Sequence, residues 1–209
     1  MKMMKMMKAV LGATTAALVL AGVGARADID IPDGNPVGVT RTLTESGLGS
    51  SISNVTLTLD ISGGNNGDLY AYLSYGGQIV TLLNRPGVTG GNPLGYTDPG
   101  YNNVILSDGG YANINSYGGS GGAQVTGTYN AADGTVAFQT AYRGLNPNGT
   151  WTLFIADLSG GDSSDSQLVN WDLNITAVPE PGAVALGVFG MLIIVVSRRA
   201  KKLAGHRPL

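Results

Sequence analysis

Residues 55–83 read VTLTLDISGGNNGDLYAYLSYGGQIVTLL, and their periodicity decides the fold. Val55, Leu57, Leu59 and Ile61 alternate with Thr56, Thr58 and Asp60; after the turn signal Asn66-Gly67, Leu69, Ala71 and Leu73 alternate with Tyr70, Tyr72 and Ser74. Apolar side chains at every second position line one face of an extended chain, so both stretches read as half-buried strands. Ile79 to Leu83 is a short run, apolar except for Thr81, which predicts a strand covered on both faces. The alternation returns at Trp151, Leu153 and Ile155 and at Trp171, Leu173 and Ile175, with turn signals at Asp108-Gly109, Asp133-Gly134 and Asn148-Gly149. From Ile31 onward no apolar run has helical period, and 26 glycines fall between Asp28 and Val178. Many short strands with frequent turns predict an all-β fold, a β-sandwich or jelly roll. Pro32 and Pro36 suit an extended lead-in, and GGYANINSYGGSGG at 109–122 is expected to be a long mobile loop.

Charge divides the chain into three pieces. The 209 residues carry a formal charge of −2, but every Lys lies at positions 2 to 8 or at 201 and 202. Between Asp28 and Val178 three arginines (Arg41, Arg85, Arg143) face twelve Asp and Glu45, which leaves −10. This middle has no basic stripe of the kind that dominates nucleic-acid affinity, so nucleic acid is excluded as a partner. The chain has no Cys, and its one His is His206. A Ser-His-Asp triad, a Cys-His pair and a zinc site built on imidazole or thiolate therefore have no residues to use in the middle. Without disulfides, stability has to come from one buried core, and about 150 residues suffice for that.

The two basic ends read as addresses. MKMMKMMK, the apolar stretch Ala9 to Gly22 and Ala25-Arg26-Ala27 follow the order of a secretory signal peptide over 1–27, with signal peptidase cutting before Asp28. At the other end, VPEPG at 178–182 precedes the apolar run Ala183 to Val196 and then SRRAKK. With Gly182 and Ser197 the run is 16 residues, roughly 24 Å of helix against a hydrocarbon core of about 30 Å. The basic residues that follow it place the C-terminus in the cytoplasm and the acidic middle outside. The order of VPEP, hydrophobic helix (about 182–197) and Arg198-Arg199 resembles the PEP-CTERM sorting signal over 178–209. The resemblance implies processing near Pro179, Glu180 and Pro181 by an exosortase, in bacteria that make extracellular polysaccharide. The tail LAGHRPL after the basic cluster is longer than the pattern requires, and a plain single-pass anchor is the alternative.

A second resemblance covers most of the domain expected at 28–177. IPDGNPVGVTRTLT (31–44), ISNVTLTLDISGGNNGDLYAYLSYGGQIVTLLNRPG (52–87) and AYRGLNPNGTWTLFIADLSGGDSSDSQLVNWDLNIT (141–176) resemble the P domain, or P/Homo B domain, of proprotein convertases and bacterial subtilases. The most specific pieces are Gly67-Asp68-Leu69, Leu82 to Gly87, Asn148 to Leu153, Asp157 and Trp171. Ser74-Tyr75-Gly76-Gly77 stands where the family commonly has Ser-Pro-x-Gly, which alters a turn. The resemblance implies a jelly-roll β-sandwich that stabilises a subtilisin-like serine endopeptidase domain and holds no catalytic residue itself. No protease domain is expected in this chain, so activity is not transferred with the fold.

Several residue patterns imitate sites. Gly118-Gly119-Ser120-Gly121-Gly122 satisfies G-x-S-x-G, but that motif needs a strand-to-helix turn and a His. Asp28, Asp30 and Asp33 begin like a calcium loop, yet Val39 occupies the position of its bidentate acid. Asp162 and Asp165 sit in GGDSSDS, while Asp68, Asp98 and Asp157 sit at strand edges. Those last three are the candidate calcium ligands, against the plainer role of capping their own turns. A glycosidase pair of carboxylates is not legible from spacing. Tyr70 and Tyr72 share a face and could offer a stacking platform for sugar, or simply pack the sheet. Sequons at Asn54, Asn148 and Asn174 carry little weight, and Asn148-Gly149 reads better as a turn. The expected reading is a non-catalytic exported module with a structural or adhesive role, with exopolysaccharide as a possible partner. An accessory domain acting in trans with a separate protease and a calcium-dependent glycan binder are the alternatives.

Overall fold

The computed structural model describes residues 28–161 and 165–178 and the single residue Met191. Nine strands form two sheets, as the alternation predicts: β1 (Ile29–Ile31), β2 (Asn35–Glu45), β3 (Ser51–Ser62), β4 (Leu69–Tyr75), β5 (Gln78–Asn84), β6 (Gly100–Ser107), β7 (Thr128–Tyr129), β8 (Gly149–Asp157) and β9 (Ser166–Val178). The first sheet has the order β1-β9-β3-β6-β7 and the second β2-β8-β4-β5. All pairings are antiparallel except β6 with β7. The fold is an all-β sandwich in which most connections cross from one sheet to the other. Among the described residues no helix is long and apolar enough to cross a membrane, and the run Ala183 to Val196 lies outside them apart from Met191.

The period-two pattern explains the core. Val55, Leu57, Leu59 and Ile61 from β3 pack with Leu69, Ala71 and Leu73 from β4, Leu153 and Ile155 from β8, and Trp171 from β9. Each such Val, Leu or Ile side chain, fully buried, contributes about 1.5–3 kcal/mol. Trp151 stacks on Tyr75 with ring centroids 3.9 Å apart and donates its indole N–H to Pro147 O at 3.2 Å. Tyr142 closes the group edge-on to Trp151 and donates its hydroxyl to Leu73 O at 2.6 Å. The Gly76-Gly77 departure becomes a two-residue hairpin between β4 and β5, with φ of 58° and 78°. Two adjacent left-handed residues are what such a turn demands, and glycine adopts them without strain.

Three expectations change. Ile79–Leu83 does not lie in a doubly covered strand: β5 is the edge of its sheet and Ile79 is 60% exposed. A register shift opposite Ala71 and Tyr72 rotates the strand after Thr81, so the adjacent Leu82 and Leu83 are both buried. A short helix, α1 (Ala137–Tyr142), packs on β3 and β5; six residues are too few to register as a helical period. The 109–122 segment is a loop, as expected, but it is tied down rather than loose. It contains a 3-10 turn at Ile114–Ser116 with Ile114 buried, and Asn113 donates to Ala131 O and Ala132 O.

Candidate functional site

The topology brings most of the conspicuous aspartates to one end of the sandwich. Leu69, which opens β4, pairs with Asp157 at the end of β8, and Ser62 at the end of β3 pairs with Gly100 at the start of β6. Asp68, Asp98 and Asp157 therefore all sit where strands meet loops, and all are at most 5% exposed. A buried carboxylate is costly unless donors surround it, and each of the three has its own set.

Asp68 closes a 3-10 turn, Asn66–Asp68. Its Oδ1 lies 3.6 Å from Arg85 Nη2, and its Oδ2 accepts from Asn65 Nδ2 at 3.5 Å. Arg85 is held by a second bond, from its Nε to Gly67 O at 3.2 Å. A guanidinium already stands where a cation would approach Asp68. Asp157 accepts from Ser159 N at 3.2 Å and from Ser166 Oγ at 3.4 Å, which fastens the start of the β8–β9 loop to the start of β9. Gly67 has no room for a side chain: a Cβ there would lie 2.1 Å from Leu94 O. The Gly-Asp-Leu motif is thus a packing joint between the β3–β4 and β5–β6 loops.

Asp98 accepts from Tyr117 OH and Ser120 N, both at 2.8 Å, and from Gly122 N at 2.9 Å. Burial pushes its carboxyl up, but the Gly122 and Ser120 N–H groups and the Tyr117 hydroxyl together outweigh it and hold the group below the usual carboxylate value. Beside it, Asn66 donates to Gly100 O and Tyr117 OH, both at 3.1 Å, and accepts from Gly100 N at 3.0 Å. Burial and the neighbouring Asp98 raise the Tyr117 hydroxyl well above its ordinary value. Asn66 is fully buried and serves as a clamp, a role beyond the turn that Asn66-Gly67 predicts. Only its position before Gly67 hinted at a role.

These placements settle where the candidates are. Asp68 and Asp157 come to neighbouring strand ends, while Asp98 turns toward the 117–122 loop. Among the described residues no group of three His, Cys, Asp or Glu side chains gathers to hold a metal ion. Ser120 of the G-x-S-x-G pattern donates its hydroxyl to Ala123 O, in a loop and not at a strand-to-helix elbow. Asp28, Asp30 and Asp33 do not converge on a cation: Asp30 accepts from Gln167 and Asp33 from Gly161 N. Tyr70 and Tyr72 are half-buried, and Tyr72 stacks on Phe154 at 4.8 Å with planes 17° apart. The Tyr72 ring spends a face on its neighbour, which removes much of a flat platform. Asn148 spends its amide on Leu48 N and O, as a turn residue would. Asp162 and the processing residues Ala25, Ala27, Pro179, Glu180, Pro181, Arg198 and Arg199 lie outside the described residues.

No protein-family model matches the chain, and no curated protein of similar sequence was found. Among solved structures the chain is similar to the serine protease of Aeromonas sobria in complex with its chaperone ORF2, at 14% identity and a TM-score of 0.39 over 71% of this chain and 26% of that one. It is similar also to the serine protease of Aeromonas sobria, at 13% identity and a TM-score of 0.38 over 71% of this chain and 26% of that one. The chain thus spans about a quarter of the length of each of these structures.

Proposed function

We propose that the chain is a non-catalytic exported module, a P-domain-like β-sandwich sorted by an exosortase to the cell envelope or extracellular matrix, where it acts by structure or adhesion. The observation that carries this reading is the use made of the carboxylates. Asp is the most abundant ionisable residue of the domain, and Asp68, Asp98 and Asp157 are each engaged by an arginine, by backbone N–H groups or by hydroxyls that hold loops. Groups so engaged are acceptors that fix loops, and they offer neither a free general base nor an open ligand set. The sequence supplies the addresses, through the A-x-A site before Asp28 and the VPEP-helix-basic order after Ala177.

The intact mass of the mature protein from its native host tests the sorting half. Ends at Asp28 and near Pro179 are expected; a retained 198–209 tail would reject exosortase processing and leave a single-pass anchor. The chemical half is tested on the full chain. No peptide substrate is hydrolysed, and the melting temperature is the same in millimolar calcium and in chelator. A calcium-dependent rise in melting temperature that Asp68→Asn or Asp157→Asn abolishes would support the calcium reading instead. Stoichiometric co-purification of a separately encoded serine protease would favour the accessory role in trans.

A further inference from the structure

The mouth of the sandwich between its two outer strands holds a group that the fold does not use. β1 and β2 are edge strands of different sheets, joined by residues 32–34, and a cleft of about 370 Å³ opens between β2 and the β1–β9 pair. Ile29 and Val169, beside the buried Leu168 and Trp171, supply its apolar walls, Asn170 adds a polar one, and Arg41 and Thr42 form its β2 side. No carboxylate lines it. That volume is at the small end of ordinary ligand sites, which are mostly apolar with a few placed polar groups.

Arg41 occupies an inward position. It pairs with Leu153, while Val39 pairs with Ile155 and Leu43 with Trp151; directly opposed residues share a face, and all three partners are fully buried. Val39 and Leu43 pack on the core as an inward position predicts. Between them stands Arg41, a half-buried residue whose Nη1 makes an exposed bond to Thr40 O at 3.0 Å. An arginine carries five N–H donors in a planar fork. The one ion pair among the described residues is Arg85 with Asp68, so Arg41 has no carboxylate partner there, although thirteen acids surround three arginines between Asp28 and Val178. An apolar slot with a guanidinium fork in its wall matches one ligand chemistry, a carboxylate on an apolar body, held bidentately by the fork and covered by the aliphatic and indole walls.

We propose that the Arg41 cleft is a binding site for small organic carboxylates with an apolar body. It is distinct from the aspartate end of the sandwich and does not depend on the sorting reading. An inward charge on an edge strand also discourages edge-to-edge pairing. That guarding role needs a charge but no ligand, and Lys fills it as well as Arg.

The test uses the purified full chain with ¹⁵N-labelled tryptophan, which gives two indole signals because Trp151 and Trp171 are the only tryptophans. Benzoate is titrated, with benzamide as the uncharged isostere and glucuronate as a carboxylate on a polar body. A saturable shift at Trp171 with little change at Trp151 is expected, with a dissociation constant below about 10 mM. Arg41→Gln should weaken it at least about tenfold, the loss of a charge-assisted pair, and Arg41→Lys should weaken it less. Glucuronate binding more tightly than benzoate would overturn the apolar-body assignment. Absence of a saturable shift, an equal response to benzamide, or unchanged affinity in Arg41→Gln would overturn the site. If Arg41→Gln fails to fold, the benzamide comparison and Arg41→Lys decide alone. A monomeric Arg41→Lys with wild-type benzoate affinity would overturn the bidentate fork.

Discussion

Asp98 is the residue on which the loop end depends most. It spends both oxygens on three donors from residues 117–122, so Asp98→Asn places an amide N–H against donors that had an anion. The expected loss is about 2–3 kcal/mol, read from chemical denaturation, with faster proteolytic nicking inside 117–123. The pH dependence has a definite sign. The folded carboxyl titrates below its unfolded value of about 3.9, so its stabilisation is fully present above that value and disappears as pH falls through the lower folded value. Asp98→Asn should therefore cost most at neutral pH and progressively less as pH falls below the unfolded value of about 3.9. Glu45 has the opposite sign, because burial and then Asp172 raise its carboxyl. The ionised form is disfavoured in the folded state, so Glu45→Gln should raise the melting temperature at pH 7, by about 1 °C, and leave it unchanged at pH 3. A destabilised Glu45→Gln at pH 7 would contradict that account.

At the scale of the element, the exposed side of β5 illustrates how an edge is managed. Thr81 N donates to the Asp133 carboxylate at 2.7 Å, Ala132 N donates to Leu82 O at 3.0 Å, and Asn84 N donates to Asn115 Oδ1 at 3.0 Å. Loop residues thus satisfy backbone groups that would otherwise template another strand. Asp133→Ala removes one of these covers beside the exposed Ile79. Concentration-dependent light scattering on warming should increase, with a stability loss of about 1–2 kcal/mol; unchanged scattering would show that the Ala132 and Asn115 contacts suffice. The register shift that buries both Leu82 and Leu83 belongs to the same element. It could not be read from the sequence, because a bulge erases the alternation by which strand faces are recognised.

For the whole molecule, the charge of −10 between Asp28 and Val178 governs how stability responds to solvent. With one ion pair among the described residues, repulsion between carboxylates is largely uncompensated. Raising ionic strength from about 0.01 to 0.15 M shortens the screening length from about 30 to 8 Å, so the melting temperature should rise with salt. A fall would mean that attractive pairs, not repulsion, dominate the surface. The effect should be the same for sodium and calcium chloride at equal ionic strength, which separates screening from specific binding.

The sequence by itself determined the all-β class, most strand positions, the hairpin glycines and the segregation of basic ends from an acidic middle. These follow from local rules: side chains alternate across a strand, and only certain residues accept a left-handed backbone. Only the tertiary structure decided what the aspartates do. Whether a carboxylate binds a cation, performs chemistry or fixes a loop depends on donors brought from distant positions, Arg85 to Asp68, Gly122 to Asp98 and Ser166 to Asp157. The same holds for Arg41, an unremarkable cation among threonines in the sequence. Its inward pairing with Leu153 and the cleft beside Trp171 arise from strand register and sheet order, which the spacing of one strand does not encode.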